Sequence, residues 1–179
     1  NGVVGNAAPL ASLTTTANTT AIIVGGTIET SGNQTYGGLV TLTADATFAG
    51  NAPTFAAGVA GGNNSLSLNF TGVTTALDGS FANIATLTAD SAVSLNGTVQ
   101  TNLDQVYNSN VSLLGDTTLA GNTATFSSGV AGGNNDLTLN FAATTALDGS
   151  FANLANLTSV GPVALSGQID SAGFQNYAA

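Results

Sequence analysis

Carboxylates are the side chains of this sequence with the most chemistry to offer, because Lys, Arg, His and Cys are absent from its 179 residues. A glycoside hydrolase holds two carboxyl groups within about 5–10 Å of each other. A β-helical enzyme that cleaves polysaccharides by elimination uses a basic residue, which this chain lacks. Spread acids in repeated units predict a protein without catalysis and without a cofactor. The acids are Glu29, Asp45, Asp78, Asp90, Asp104, Asp116, Asp136, Asp148 and Asp170.

Two of these acids, Asp78 and Asp148, share the context Leu-Asp-Gly-Ser. As an acid–base pair they would have to be neighbours, but three coils of stacked strands would separate them by about 14 Å. An Asp that precedes Gly commonly hydrogen-bonds its own backbone in a turn. We therefore interpret both as turn residues.

Residues 61–66 and 132–137 resemble half of a calcium-binding nonapeptide repeat. Calcium takes six or more oxygen ligands, and only the second copy contains an acid, which makes Asp136, Asn134 and Asn135 weak calcium candidates. Gly and Asn also accept left-handed backbone angles at low cost. A glycine-asparagine turn is therefore the favoured interpretation, and no metal site is predicted.

The missing cations restrict the possible partners. Side-chain binding to phosphate needs Lys or Arg, so nucleic acid is excluded as a partner. The net charge of −9 would be repelled by anionic lipid headgroups. No apolar run approaches ~18 residues, so no membrane insertion is expected. The absence of a signal peptide at the start indicates a mature piece or an excised fragment.

Internal repetition is the strongest signal in the sequence. The segment Thr-Thr-Ala-Leu-Asp-Gly-Ser-Phe-Ala-Asn at 74–83 recurs letter for letter at 144–153, which defines a repeat of ~70 residues. A Gln-x-Tyr motif occurs three times, at 34–36, 105–107 and 175–177. These matches divide one continuous domain into a lead-in (1–33), two units (34–104 and 105–174) and the start of a third (175–179).

Each unit consists of short runs that alternate apolar and polar residues, separated by Gly, Asn and Asp. Alternation places one side chain inward and the next outward. Strands this short are stable only when stacked on many neighbours, and the connections are too short for helices. The sequence therefore predicts an all-β, right-handed parallel β-helix of about seven coils, roughly 34 Å long. A β-sandwich built from the repeats is the alternative.

Comparison of the leucines suggests about three coils per unit. In this scheme Leu42 stacks in register with Leu68 and Leu113, and Phe55 occupies the same environment as Phe126. The full set of predicted inward ladder residues is Leu42, Leu68, Leu87, Leu113, Leu139, Phe55 and Phe126.

The repeat resembles those of filamentous-haemagglutinin-like bacterial adhesins, exported by two-partner or autotransporter routes. The resemblance is carried by Gln-x-Tyr-Gly-Gly-x-Val-x-Leu-x-x-Asp-x-x-Phe from Gln34 to Phe48, by Leu-x-Leu-Asn-Phe from Leu66 to Phe70, and by their copies. It implies a β-helix, an extracellular or cell-surface location and a stalk or adhesive role. The family is usually not free of Lys and Arg, and here the chain departs from it.

Three functions remain open at this point. The first is a stalk that projects a distant binding tip, and the second is a self-assembling extracellular filament or matrix subunit. In both, further copies or adjacent repeats join end to end, with Gln175 and Tyr177 meeting the next coil. The third is a carbohydrate-binding surface with Tyr36, Tyr107 or Tyr177 as stacking platforms. A glycan or protein receptor on a host or cell surface is a possible partner.

Overall fold

The computed structural model describes residues 2–5, 7–17, 22–72 and 74–177, and every regular element in these ranges is a β-strand. The abundance of Thr and Val, which favour strands, and of Gly and Asn, which favour turns, accounts for this. The strands are β1 (Gly2–Val4), β2 (Leu13–Thr15), β3 (Ile22–Glu29), β4 (Gln34–Tyr36), β5 (Val40–Gly50), β6 (Pro53–Phe55), β7 (Val59–Phe70), β8 (Thr75–Ala89), β9 (Val93–Thr101), β10 (Gln105–Tyr107), β11 (Val111–Gly121), β12 (Ala124–Phe126), β13 (Val130–Ala131), β14 (Leu137–Phe141), β15 (Thr145–Leu147), β16 (Ser150–Leu154), β17 (Leu157–Ser159), β18 (Val163–Leu165), β19 (Gln168–Ser171) and β20 (Gln175–Tyr177).

The strand pairs described are all parallel, and each strand pairs with the chain one turn earlier or later. Val40, for example, pairs with Val59, and Leu66 with Leu87. The chain forms a β-solenoid of about eight turns, consistent with a right-handed parallel β-helix. The predicted fold is confirmed, and parallel pairing excludes the β-sandwich.

Three faces run along the solenoid, each a stack of short segments, and the chain visits them in the order 1, 2, 3. Face 1 consists of residues 2–4, 26–28, 46–48, 66–68, 87–89, 105–107, 124–126, 145–147 and 163–165. Face 2 consists of 13–15, 34–36, 53–55, 75–77, 93–95, 111–113, 130–131, 150–152 and 168–171. Face 3 consists of 22–24, 40–42, 59–60, 79–82, 97–99, 117–119, 137–139, 157–159 and 175–177.

The interior is lined by alternate residues of each segment, as the apolar alternation requires. In β5, Val40, Leu42 and Phe48 are buried while Thr41 and Thr47 are only partly so. The inward orientation of the predicted ladder residues is confirmed, since all seven are at most 5% exposed. They are Leu42, Leu68, Leu87, Leu113, Leu139, Phe55 and Phe126.

The predicted register of the leucines is wrong. Leu42 lies on face 3, Leu68 on face 1 and Leu113 on face 2, where their partners are Val24, Phe48 and Leu95. Alternation shows that a residue points inward, but it carries no information about which face the residue belongs to.

The equivalence of Phe55 and Phe126 is confirmed. Phe55 stacks on the ring of Tyr36 at 5.3 Å between centroids, and Phe126 stacks on Tyr107 at the same distance. Each phenylalanine also meets another phenylalanine edge-on, Phe81 at 5.6 Å and Phe151 at 5.4 Å respectively. Phe55 has a further edge-on contact with Phe48 at 5.8 Å, where the second unit has Leu119.

The sequence repeat and the turn of the solenoid have different periods. From 34–36 to 105–107 the chain advances eleven segments, which is three turns of three faces plus two further faces. The predicted three coils per unit therefore become three and two-thirds. Successive Gln-x-Tyr motifs lie on faces 2, 1 and 3, so each unit is rotated by two-thirds of a turn relative to the previous one.

This rotation predicts a specific pattern of distances between spin labels. Thr54 and Ser112 both lie on face 2, three turns apart, so their backbones should be roughly 14 Å apart. Thr54 and Thr125 are equivalent in sequence but lie on different faces, so labels there should be clearly farther apart. Electron paramagnetic resonance of the two double-cysteine variants measures both distances, and the chain has no Cys of its own. Equal distances in the two variants would contradict the rotation.

Candidate functional site

Most of the carboxylates serve as hydrogen-bond acceptors between successive turns. Seven of the nine accept a bond from a donor that lies one turn further along the solenoid. Asp104, for example, accepts from the Asn122 amide at 3.0 Å, and Asp45 accepts from the Ser65 backbone N–H at 2.8 Å. The other five acceptors are Asp78, Asp90, Asp116, Asp136 and Asp148.

Asp78 and Asp148 do not form a chemical pair. Asp78 follows Leu77 at the corner between faces 2 and 3, and Asp148 follows Leu147 at the corner between faces 1 and 2. They are separated by three and two-thirds turns and not by the expected three coils. Their carboxylates also do not show the predicted bond to their own backbone. Instead they accept bonds from Asn96 (2.8 Å) and Ser166 in the next turn.

The suspected calcium segment has the geometry of a turn. Gly133 and Asn134 have φ angles of 59° and 63°, in the left-handed region that Gly and Asn tolerate. Asn135 donates its side-chain N–H groups to the carbonyls of Leu113, Gly132 and Gly133 at 3.0–3.3 Å, so its nitrogen faces those oxygens. The glycine-asparagine turn is confirmed.

Asp136, the remaining calcium candidate, accepts a bond from the Asn156 amide at 2.7 Å. In residues 2–5, 7–17, 22–72 and 74–177, no three His, Cys, Asp or Glu side chains come together to hold a metal ion.

The tyrosines are not surface platforms in the first two copies of the motif. Tyr36 is 0% exposed and Tyr107 is 1% exposed, so their prediction as carbohydrate-stacking residues is wrong. Tyr177 is partly exposed. Gln and Tyr two residues apart point to the same side of a strand, but this spacing does not indicate whether that side is the interior.

The Gln and Tyr of each motif form a hydrogen-bonded pair, which we term the Gln–Tyr bridge. The Tyr hydroxyl donates to the Gln side-chain oxygen at 2.8 Å in Gln34–Tyr36 and in Gln105–Tyr107, and at 2.9 Å in Gln175–Tyr177. Gln34 and Gln105 are 0% exposed. Sequence analysis missed these two glutamines as interior residues, because Gln is rarely buried without partners.

The buried glutamine amide donates hydrogen bonds to backbone carbonyls on both the preceding segment and the following turn. Gln105 Nε2 donates to the carbonyl of Val99 at 3.1 Å and to that of Ala120, in the next turn, at 2.9 Å. Gln34 repeats this pattern with Ile28 at 3.3 Å and Ala49 at 2.8 Å. Both amides also contact the hydroxyl of a Thr four residues earlier. Each of the two buried bridges therefore ties its own turn to the next one through the core.

The surface depressions on the described residues contain little that could act on a ligand. One of about 390 Å³ is lined by Val, Ala, Gly, Ser and Asn and contains no titratable side chain. Another of about 300 Å³ lies between β6 and β8 and contains Asp78, whose carboxylate is bonded to Asn96.

Comparison with protein-family models, with curated proteins and with solved structures finds no match to this chain. Among the described residues there is also no helix long and apolar enough to cross a membrane. The geometry of the chain itself is therefore the basis for a functional proposal.

Removing a buried bridge should cost stability, and the chain offers a matched control. Gln105→Ala leaves the Tyr107 hydroxyl buried without its acceptor, so we expect a loss of about 1–3 kcal/mol in the free energy of unfolding. Gln175→Ala, at the exposed bridge, should change it by less than about 0.5 kcal/mol. Denaturant unfolding of both variants measures this, and equal losses would contradict the role of burial.

The buried tyrosines predict a loss of stability at high pH. Burial raises the pKa of Tyr36 and Tyr107 above the ordinary value of 10. The unfolded chain then releases these protons first, so stability is complete below about pH 10. Above that it should fall by about 1.4 kcal/mol per pH unit for each tyrosine. Denaturant unfolding at several pH values measures the slope. Tyr107→Phe should remove half of it, and an unchanged slope in this variant would contradict the assignment.

Proposed function

We propose that this chain is a non-catalytic stalk module of a secreted bacterial surface adhesin resembling filamentous haemagglutinin. The observation that carries the proposal is that the two units repeat their core contacts while sharing one uninterrupted interior. Gln34 and Gln105 donate to equivalent carbonyls of the two units, and Phe55 and Phe126 each stack on the tyrosine of their unit. Units that merge in this way lengthen a rod without creating a distinct pocket in each copy.

The disposition of the acids supports this role. A catalytic carboxylate must be available to the substrate, whereas seven of these nine are engaged in bonds to the next turn. On this proposal the chain is not an enzyme and has no cofactor. Its negative surface, without a single cation, disfavours nucleic acid and anionic membranes as partners.

A self-assembling extracellular filament is the second candidate. It is favoured by the apolar groups at the last turn, where Leu165 is 51% and Phe174 is 59% exposed. Carbohydrate binding loses its main support because Tyr36 and Tyr107 are buried. A glycan or protein receptor for the whole adhesin would then bind elsewhere than on these rings.

The proposal predicts an extracellular, surface-attached protein. Antibodies against the purified chain should label intact cells of the organism that encodes it, and external protease should remove that label without lysis. An antibody against a cytosolic protein of the same cells serves as the control for integrity. Labelling that requires permeabilised cells would contradict the proposal. Electron microscopy of the extracted protein should then distinguish tethered stalks from free filaments.

A further inference from the structure

The third Gln–Tyr bridge lies on the last turn described and has only part of the surroundings of the other two. On the side that faces the preceding turn, its strand-pairing partner is like that of the other two. Tyr36, Tyr107 and Tyr177 each pair with a small residue one turn earlier, respectively Thr15, Ala89 and Ser159. The preceding turn thus places a small residue opposite the tyrosine in all three copies.

On the side that faces the following turn, a phenylalanine covers each of the first two bridges, and the third bridge has no such ring among the described residues. Phe55 lies over Tyr36 with 4° between the ring planes, and Phe126 lies over Tyr107 with 10°. In both pairs the phenylalanine belongs to the following turn and is the direct strand-pairing partner of the tyrosine. Among the described residues no aromatic ring covers Tyr177.

The amide of the third bridge also has fewer partners. Gln34 and Gln105 donate to a carbonyl of the next turn at 2.8 and 2.9 Å. Within the described part of the chain, the Gln175 amide donates only a long bond, 3.5 Å, to the Ile169 carbonyl. Its neighbours are exposed in the same way. Leu165 is 51% exposed, while its equivalent one unit earlier, Leu95, is 0% exposed.

We propose that the last turn is a docking surface for a further coil of this same repeat type, which brings a phenylalanine over Tyr177 and a backbone carbonyl to Gln175. The inference rests on the proposed stalk function and specifies what continues the stalk. The occupant is defined by the two complete bridges, in which residues 37–55 and 108–126 supply these groups.

The first coil of a second copy fits this surface less well. In an end-to-end stack that preserves the three faces, the first segment of face 3, residues 22–24, would pair with 175–177. It would set Val24 over Tyr177, where the complete bridges have Phe over Tyr. An aliphatic side chain cannot replace the ring stacking, which stabilises a pair of aromatic residues beyond the apolar area that it buries. The surface therefore selects a repeat coil over the start of another copy.

The test extends the chain by one coil. Ala178 and Ala179 are replaced by a copy of residues 108–126, so that the copied Phe126 follows Tyr177 at the same spacing at which Phe126 follows Tyr107. The readout is the alkaline titration of tyrosine by its ultraviolet absorbance, which is unobscured because the chain has no Trp. In the unextended chain we expect one of the three tyrosines, Tyr177, to ionise before unfolding. In the extended chain we expect none to do so.

Two control extensions of similar length make the result specific. One is the same extension with the copied Phe126 changed to Ala, and the other is an extension with the sequence of residues 2–24. With either control, Tyr177 should still ionise before unfolding. Ionisation of Tyr177 in the Phe-containing extension, whether that coil folds or not, would overturn the docking proposal. Protection by the 2–24 extension would overturn the choice of a repeat coil over a second copy. Neither result depends on cellular location, so the stalk proposal would fail separately, through the labelling of intact cells.

Discussion

Hydrogen bonding from each turn to the next is the constraint on which the rest of this structure depends. Segments of about three residues on each face cannot be stable alone, so every segment needs a parallel neighbour one turn away. The side chains follow the same rule as the backbone. The carboxylates at the corners and the buried glutamine amides both bond to groups of the following turn. Groups that elsewhere could perform chemistry are therefore used here to hold turns together.

A second consequence follows from the mismatch between the eleven-segment unit and the three-faced turn. A sequence unit that is rotated by two-thirds of a turn must fit all three faces in succession, so its core residues cannot be specialised for one side of the rod. Phe81 on face 3 and Phe151 on face 2 have equivalent sequence positions and are both fully buried. Even unfavourable details are copied, since the hydroxyls of Thr75 and Thr145 are both buried without a partner among the described residues.

Much of the fold could be predicted from the sequence, because alternation and repetition are local or directly visible. The parallel solenoid and the inward side chains were accessible in this way, as was the equivalence of Phe55 and Phe126. The register was not, since placing Leu42, Leu68 and Leu113 on faces requires the number of segments per turn. The buried Gln–Tyr bridge was still harder to predict from the sequence. A tyrosine in an alternating run points inward or outward with equal ease, and the glutamine two residues before it belongs to a residue type that is mostly exposed, so it favoured the wrong side.

The first two Gln–Tyr bridges each lie one turn before an interruption in strand pairing. Strand pairing is interrupted between β6 and β8 on face 2, and again between β12 and β15 on face 1, at equivalent positions of the two units. Pro53 is not the cause, because Ala124 replaces it in the second unit and the gap persists. At both places aromatic rings cross the gap, from Tyr36 through Phe55 to Phe81, and from Tyr107 through Phe126 to Phe151. Edge-on contacts between phenylalanine rings thus join successive turns where strand pairing does not, while the stacked Tyr and Phe rings lie on paired strands.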